Sequence, residues 1–316
     1  MSIVIPVYNR SKELPRTVGS IVAQDYRPLR LILVDNNSTD NSLAVCHEMQ
    51  EKYQDELLHI DVVEQPRPGA SAARNKGLEL VESRYMMFFD SDDVLHSDTV
   101  SRYMEAFATH PDADIIGATI NFHNGEKTFL AKAVFTTEPE AHIIHGTLST
   151  QRFAARTQFI RDVGGWQEAY NGWEDWNLGV RMLLHTQQIH WLKEPPVATV
   201  YLHENTLTAR THIDGYKHFY NAIRHTLQDI CTIGHARKYR LMRLVLYRQV
   251  LLAAHIIGEA RKQKNDELYQ FATKIYDEVM HDPLTTWVMK SFFPLCLRYA
   301  SRGGRGSGSI AQWIIR

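Results

Sequence analysis

Cysteine is scarce in this 316-residue sequence, and its arrangement excludes two kinds of protein. Cys46, Cys231 and Cys296 are odd in number and widely spaced, and no C-x-x-C pair occurs. A disulfide framework and a thiolate metal site both need closely spaced or paired cysteines. The sequence therefore predicts a protein of a reducing compartment, the cytoplasm.

The sequence also lacks an excess of charge and a long apolar run. Its formal net charge is −1, so no overall basic field is available for nucleic acid, which we do not expect as a partner. No uncharged apolar run reaches 18 residues, which predicts that no helix spans a membrane. The first predicted strand begins at Ile3, which leaves no room before it for a signal peptide.

Short apolar runs alternate with segments of helical periodicity through the first part of the chain. Apolar runs without polar alternation are typical of strands that are buried on both faces, as in a parallel sheet. The alternation predicts an α/β fold with a doubly wound, mostly parallel, Rossmann-like sheet. The predicted strands cover residues 3–7, 31–35, 59–64, 85–89 and 115–120.

An acidic turn follows the fourth predicted strand. Asp90, Asp92 and Asp93 come directly after the apolar residues 85–89. Carboxylates at the end of a buried strand are costly unless a cation lies beside them, and Mg²⁺ or Mn²⁺ prefers such oxygen ligands. The alternative is an acidic turn that caps the next helix. These residues alone fit both interpretations, the cation site and the helix cap.

Five short motifs occur in the order and spacing of family 2 glycosyltransferases, which the sequence resembles over residues 1–210. The resemblance implies a GT-A fold, a nucleoside-diphosphate-sugar donor and inversion of configuration at the transferred sugar. The motifs are Ile5-Pro6-Val7-Tyr8-Asn9, Val34-Asp35-Asn36-Asn37-Ser38-Thr39-Asp40, Gly69…Ala73-Arg74-Asn75-x-Gly77, Asp90-Ser91-Asp92-Asp93 and Gly172-Trp173-Glu174-Asp175.

The resemblance implies roles for the residues of the first four motifs. Asp35 would accept a hydrogen bond from the base, which we expect to be uracil, and Arg74 would face the donor as a charge-assisted hydrogen-bond donor. We expect these residues, together with Pro6, Tyr8, Asn9, Asp90 and Ser91, to bind the nucleotide sugar.

The resemblance also implies a divalent metal, Mn²⁺ or Mg²⁺. Asp92 is expected to contact the metal directly, with Asp90 on the ribose or on metal-bound water. His203 resembles a histidine that some relatives place near the metal, although a lone histidine is equally often a surface or packed residue. The family commonly has an arginine two residues before it, where this sequence has Tyr201.

Glu174 and Asp175 resemble the acidic pair that activates the acceptor in this family. An inverting transfer needs a base to take the proton of the attacking hydroxyl, and by resemblance Asp175 is that base. Glu174 would orient the acceptor or the backbone. The alternative is that both are first-turn carboxylates, which a helix dipole favours.

Three regions are predicted: a GT-A catalytic domain at 1–210, a helical C-terminal region at 211–300 and a flexible glycine-rich tail at 301–316. Segments 284–299 and 310–316 combine tryptophan and aliphatic side chains with basic residues. This composition suits peripheral contact with the inner face of a membrane, where a lipid-linked acceptor would lie. The alternatives are packing on the catalytic domain or a homodimer.

The sequence predicts transfer of one sugar per encounter to a glycan or lipid-linked acceptor in polysaccharide biosynthesis. The Gln-x-x-Arg-Trp motif of processive synthases is missing. A nucleotidyltransferase remains an alternative, but it would carry a glycine-rich basic turn where this chain has residues 6–10. A phosphatase-like hydrolase would have its Asp-x-Asp after the first strand. A non-catalytic nucleotide-sugar-binding module is disfavoured by the intact Asp90, Asp92 and Asp175.

Overall fold

The computed structural model describes residues 1–202, 212–234 and 236–315, and the chain divides into two compact units. The first, named the sheet unit, comprises Met1–Thr137, Thr147–Ala169 and His185–Glu204. The second, named the helical unit, comprises Glu138–Gly146, Tyr170–Leu184 and Asn205–Arg316. Within the first 210 residues, Glu138–Gly146 and Tyr170–Leu184 belong to the helical unit.

A seven-stranded, mostly parallel sheet organises the sheet unit, and a four-stranded sheet lies in the same unit. The strands are β1 (Ser2–Val7), β2 (Leu29–Asp35), β3 (Leu58–Glu64), β4 (Tyr85–Phe88), β5 (Val94–Leu95), β6 (Ile115–Ala118), β7 (Asn121–His123), β8 (Thr128–Leu130), β9 (Phe153–Arg156), β10 (Ile189–Leu192) and β11 (Ala198–Tyr201). The large sheet has the order β10-β6-β9-β4-β1-β2-β3, and the small one the order β5-β11-β7-β8.

The central strands match the predicted ones because their apolar runs are buried on both faces. β1 pairs in parallel with β2 and β4, and β2 pairs in parallel with β3. β9, which the sequence did not predict, runs antiparallel between β4 and β6, so the large sheet is mixed. The predicted α/β fold with a mostly parallel sheet and a helical C-terminal region is confirmed.

Helices cover the large sheet and connect its parallel strands. Their apolar faces supply much of the core, through residues such as Leu14, Val18 and Ile21 of the first helix. The helices of the sheet unit are α1 (Leu14–Val22), α2 (Ser42–Tyr53), α3 (Ala70–Leu80), α4 (Thr99–Thr109) and α6 (Thr157–Asp162).

Gly77 lets α3 approach the sheet closely, and this contact makes a stability prediction. A Cβ atom at Gly77 would lie 2.3 Å from Val4 Cγ1, whereas a Cβ at Gly19 of α1 would meet nothing within 4 Å. We expect Gly77→Ala to lower the free energy of unfolding by about 1–3 kcal/mol through overpacking. The control, Gly19→Ala, should be neutral or up to about 1 kcal/mol more stable, because alanine favours helix. Equilibrium denaturation measures both; equal stabilities would contradict this packing.

The helical unit has its own core, built around one long helix. This helix, α9, packs against its neighbours through buried residues that include Leu244, Tyr247 and Ile256. The helices of the unit are α5 (Pro139–His145), α7 (Glu174–His185), α8 (Ile213–Thr232), α9 (Lys238–Gln263), α10 (Asp266–His281), α11 (Trp287–Ala300) and α12 (Gly308–Ile314).

The helix α9 is the one described helix that is long and apolar enough to cross a membrane by length and composition. Of its most apolar 18-residue window, 67% is buried inside the protein. A core helix passes the same test of length and composition, and the burial of α9 fits that role.

The carboxyl-terminal tail differs from the predicted flexible segment. Residues 308–314 form α12, in which Ala311 is fully buried, and Ile315 after it is almost fully buried. Both side chains belong to the core of the helical unit. The glycine-rich composition predicted flexibility, but burial of these apolar side chains favours an ordered helix.

Candidate active site

The turns that follow β1, β2 and β4 lie at the same edge of the large sheet. Val7 at the end of β1 is in register with Asp35 at the end of β2, and Phe89 N donates to Val4 O at 3.0 Å. The carboxyl ends of parallel strands are where open α/β sheets bind ligands. This edge therefore brings together the residues of four sequence motifs.

Asn9 ties the turn after β1 to the turn after β2. Its φ of 51° is left-handed, a conformation that asparagine tolerates better than most residues. Asn9 Oδ1 accepts from Thr39 N at 2.7 Å, and Asn9 N donates to Ser38 Oγ at 3.1 Å. The Asn9 side chain thus holds the two turns in place.

Asp35 has one carboxylate oxygen with no hydrogen-bond partner among the described residues. Its Oδ2 accepts from Ser38 N at 3.1 Å, whereas its Oδ1 is buried and accepts from none of the groups that the structure describes. Only 3% of the Asp35 surface is exposed. Since a buried acceptor without a partner is costly, this oxygen is suited to accept from a ligand. Tyr8 is exposed and Pro6 is half-buried on the neighbouring strand.

Asp90 is held between an arginine and a glutamine. Its Oδ1 accepts from Arg74 Nη2 at 2.8 Å, and its Oδ2 accepts from Gln151 Nε2 at 2.5 Å. Arg74 is buried, and its guanidinium lies 4.4 Å from the centre of the Trp166 ring. The aromatic face and the carboxylate together fix the orientation of this cation.

Asp92 meets two further arginines of the sheet unit. Arg10 Nε donates to Asp92 Oδ2 at 3.1 Å, and Arg16 Nη2 donates to the Asp92 backbone oxygen at 2.6 Å. The Arg16 guanidinium also lies 3.7 Å from the centre of the Tyr201 ring. The acidic turn is therefore surrounded by positive charge from three separate segments, since Arg74 contacts it as well.

Asp93 anchors the acidic turn to the rest of the sheet unit. It is buried, and its carboxylate accepts from Tyr201 N at 2.9 Å and from Gln151 Nε2 at 2.7 Å. Burial, together with the negative charges of Asp90 and Asp92, raises the pKa of Asp93 well above its usual range. Asp93 thus has a structural role, while Ser91, also buried, lies between the other two carboxylates in the chain.

The acidic turn offers ligands for a divalent cation, but not a complete protein site. Within 1–202, 212–234 and 236–315, no group of three or more His, Cys, Asp or Glu side chains is arranged to hold a metal ion. Mg²⁺ commonly uses one or two carboxylates and takes its other ligands from substrate phosphates and water. Asp90 and Asp92 fit that pattern. His203 lies outside the described residues.

In the helical unit, the turn before α7 has an unusual backbone. Gly172 has a φ of 139°, and Trp173 has a φ of 59°, which is strained for a bulky residue. Glu174 Oε2 accepts from Gly172 N at 2.7 Å, and the Trp173 ring stacks on Phe219 at 5.1 Å between centres. Glu174 therefore contacts the backbone of the turn, one of its two expected roles.

Asp175 lies in the first turn of α7, close to a cation from α9. Its Oδ1 accepts from Trp176 N at 2.7 Å. Arg248 donates to Ile144 O at 2.9 Å, and its guanidinium lies 4.5 Å from the centre of the Trp173 ring. Its Nε is buried and has no hydrogen-bond partner within 1–202, 212–234 and 236–315. Burial lowers the pKa of Arg248 to about 10, and the charge of Asp175 opposes that change.

The structure places the predicted site residues in both units. The sheet unit contains Pro6, Tyr8, Asn9, Asp35, Arg74, Asp90, Ser91 and Asp92, and the helical unit contains Glu174 and Asp175. The sequence did not indicate Arg16, Gln151, Trp166 or Arg248. Gln151 is 61 residues from Asp90, and no local pattern links them. Arg10 was missed as well. It directly follows the first motif in the sequence, and this adjacency is the one signal that could have identified it.

The family comparison matches the first half of the chain. A model described as Glycosyl transferase family 2 matches residues 2–163. The chain is 31% identical over 153 residues to the minor teichoic acid biosynthesis protein GgaB of Bacillus subtilis (strain 168). That match covers 45% of this chain and 17% of GgaB. The matched stretches span 17–42% of the lengths of eight curated relatives.

Solved structures resemble almost the whole chain. S. aureus TarS 1-349 in complex with UDP-GlcNAc has a TM-score of 0.74 at 19% identity, over 99% of this chain and 89% of that one. The mannosyltransferase PcManGT of Pyrobaculum calidifontis, in complex with GDP-Man and Mn²⁺, has a TM-score of 0.54 at 14% identity, over 95% and 86%. At these identities the likeness concerns the fold, and it confirms the predicted GT-A type.

Proposed function

This chain belongs to glycosyl transferase family 2 and is a glycosyltransferase, and from that premise we propose a specific reaction. The enzyme moves one sugar from a UDP-sugar to a hydroxyl group of a glycan or lipid-linked acceptor, with inversion at the sugar. Asp175 takes the acceptor proton, and Asp90 and Asp92 would hold a divalent cation. The acceptor is part of a surface polysaccharide, since GgaB takes part in teichoic acid biosynthesis.

This proposal rests on one observation: a buried carboxylate oxygen and an acidic turn that arginines contact lie at the same sheet edge. Asp35 Oδ1 is buried and accepts no hydrogen bond from the described part of the chain, which suits it to accept from the N–H of a uracil ring. Asp90 and Asp92 follow β4, whereas Asp35 ends β2. In the sheet, only β1 lies between these two strands. A nucleoside diphosphate presents both a base and charged phosphates, so it matches both features.

Asp90 and Asp92 would hold the cation, and they are now held by arginines. A divalent cation held there would supply positive charge that offsets the negative charge developing on the leaving group. Arg74 and Arg10 contact the same carboxylates at 2.8 and 3.1 Å. Their guanidinium groups are charge-assisted donors, so they bind the diphosphate oxygens and orient the donor.

Asp175 is suited to remove a proton because its side chain is a carboxylate in the first turn of α7, where the helix dipole interacts favourably with negative charge. Arg248 of the same unit is a nearby cation. Trp173 precedes the acidic pair and is only partly buried, so part of its flat apolar ring is available for a sugar ring to pack on, whereas Trp176 is buried in the core of the helical unit. Glu174 positions this turn through its hydrogen bond to Gly172 N.

A donor-hydrolysis assay tests the proposal without knowledge of the acceptor. The full chain is incubated with UDP-GlcNAc, other UDP-sugars and GDP-Man, with and without Mn²⁺, and nucleotide release is measured. We expect release from a UDP-sugar that requires the cation. Cation-independent release would contradict metal assistance, and preference for a GDP-sugar would contradict UDP as the nucleotide. No release from any donor would contradict the proposed reaction.

The role of Asp35 makes a binding prediction. Asp35→Asn keeps the shape and the hydrogen bond from Ser38 N, but it presents an amide N–H₂ where the base would donate. We expect UDP affinity to fall roughly 10- to 100-fold, the value of a hydrogen bond to a charged group. Isothermal titration calorimetry with UDP measures this effect. The control is Asp61→Asn on β3, where the carboxylate pairs with Arg30; equal affinities of the two variants would contradict the assignment.

A further inference from the structure

The end of the helical unit carries only positive charge. Residues 283–315 contain no aspartate or glutamate, but they include Lys290, Arg298, Arg302 and Arg305. The preceding helix α10 has the opposite balance, with four acidic residues and one lysine. The chain as a whole has a net charge of −1, so this concentration of positive charge is local. It marks a surface that attracts anions.

The outer face of α11 is apolar as well as basic. Met289, Phe293 and Cys296 are buried and attach the helix to its unit. The opposite face exposes Trp287 by 79% and Leu295 by 66%. A surface helix of a globular protein normally turns polar side chains outward. Further large apolar residues are exposed along the same end of the chain, namely Tyr299 by 53%, Ile310 by 53% and Trp313 by 71%.

A shallow cavity of about 450 Å³ lies at the carboxyl end of α11 and contains two of the arginines. Arg298 and Arg302 line it beside Leu295 and the Tyr299 ring. Gly304 leaves room for the Tyr299 ring, because a Cβ atom at this position would lie 2.5 Å from the ring. Tyr299 Oη donates to Arg305 O at 3.0 Å. Two guanidinium groups over an apolar floor match a phosphate group that is attached to an apolar chain.

We infer that this face docks on an anionic lipid bilayer. The docking face consists of the exposed side of α11 and the turn 302–305. Trp287 and Leu295 enter the interface between headgroups and acyl chains, and Arg298 and Arg302 meet the lipid phosphates. The inference is independent of the proposed reaction. A second copy of the chain is the less favourable occupant, because a symmetric contact would bring the same positive charges together.

Vesicle co-sedimentation of the full chain tests the docking face. The probes are vesicles of mixed phosphatidylcholine and phosphatidylglycerol, and vesicles of phosphatidylcholine alone. We expect the chain to sediment with the anionic vesicles and to bind the neutral ones much more weakly. High salt should lower the binding to anionic vesicles, because it screens the exposed arginines.

Two double variants separate the charge from the apolar side chains. Arg298→Gln with Arg302→Gln should lower the partition coefficient roughly 30-fold, about fivefold for each arginine near an anionic surface. Trp287→Ser with Leu295→Ser should lower it by ~10-fold or more, and this loss should persist at high salt. The matched control is Tyr269→Ser with Lys274→Gln on α10, which removes an exposed aromatic residue and a charge from another helix.

Three results would overturn the inference. The first is absence of the unmodified chain from the anionic pellet, and the second is equal sedimentation of both docking-face variants and the control. The third is a dimer in sedimentation velocity without lipid that the docking-face variants dissociate, which would assign the face to self-association. Thermal unfolding of each variant serves as the check on folding. This check does not use UDP, so a failure of the proposed reaction would leave the vesicle result unchanged.

Discussion

Replacing Asp175 by asparagine is expected to lower the rate of sugar transfer roughly 10²- to 10⁴-fold, the usual contribution of a general base. Asparagine keeps the size of the side chain and its oxygen can still accept from Trp176 N, which now lies 2.7 Å from Asp175 Oδ1. It cannot take a proton from the acceptor hydroxyl. Donor affinity should be unchanged, so the loss should appear in kcat and not in the Kd for UDP.

Two other variants serve as controls for Asp175→Asn. Glu174→Gln keeps the hydrogen bond from Gly172 N and should cost much less activity. Asp214→Asn removes a first-turn carboxylate from α8, and it controls for the loss of charge at a helix N-terminus. If Glu174→Gln is inactive and Asp175→Asn transfers sugar at the normal rate, the base is Glu174. Thermal unfolding of all three variants shows whether any loss reflects folding.

Replacing Asp92 by alanine is expected to lower transfer at least ~100-fold and to abolish the effect of Mn²⁺ on nucleotide binding. The variant removes one of the two carboxylates proposed to hold the cation. It also frees Arg10, whose Nε now lies 3.1 Å from Asp92 Oδ2. UDP affinity without metal should therefore be retained or increased, because Arg10 becomes available to the phosphates. Calorimetry with UDP, with and without Mn²⁺, separates these effects from activity.

Asp61→Ala is the matched control for Asp92→Ala. Asp61 pairs with Arg30 through the same atoms at 2.7 Å, and its side chain is similarly half-buried, but it lies on β3 away from the acidic turn. This variant should keep the Mn²⁺-dependent gain in UDP affinity. Retention of that gain in Asp92→Ala, or full transfer by that variant in the presence of a chelator, would remove Asp92 from the proposed metal site.

The sequence alone was sufficient for the central sheet. The apolar runs of β1, β2 and β4 need no long-range information, because burial on both faces leaves a continuous hydrophobic signal in each strand. β3 lies at the sheet edge, and its signal is instead the alternation of buried Leu58 and Ile60 with exposed His59. The same argument explains why the acidic turn was recognised: carboxylates directly after such a run are visible in the local sequence. The motifs in register then indicated the family, and the comparisons confirmed it.

The surroundings of the acidic turn depended on the tertiary structure. Asp90 is paired with Arg74 from α3 and with Gln151, and Asp92 is paired with Arg10 from the turn after β1. Each partner comes from a different segment, so its role depends on how the chain folds back. The same holds for Arg248, which lies 73 residues after Asp175 in sequence and was not expected beside it.

Local pattern and tertiary structure thus determined different properties of this protein. The sequence by itself determined the strands, the charge of the turns and the family, because periodicity and short motifs are properties of neighbouring residues. The tertiary structure decided which cations meet which carboxylates, the antiparallel course of β9 and the order of the glycine-rich tail. These features rest on contacts between distant segments, whose free energy comes from burial and pairing that a local pattern does not record.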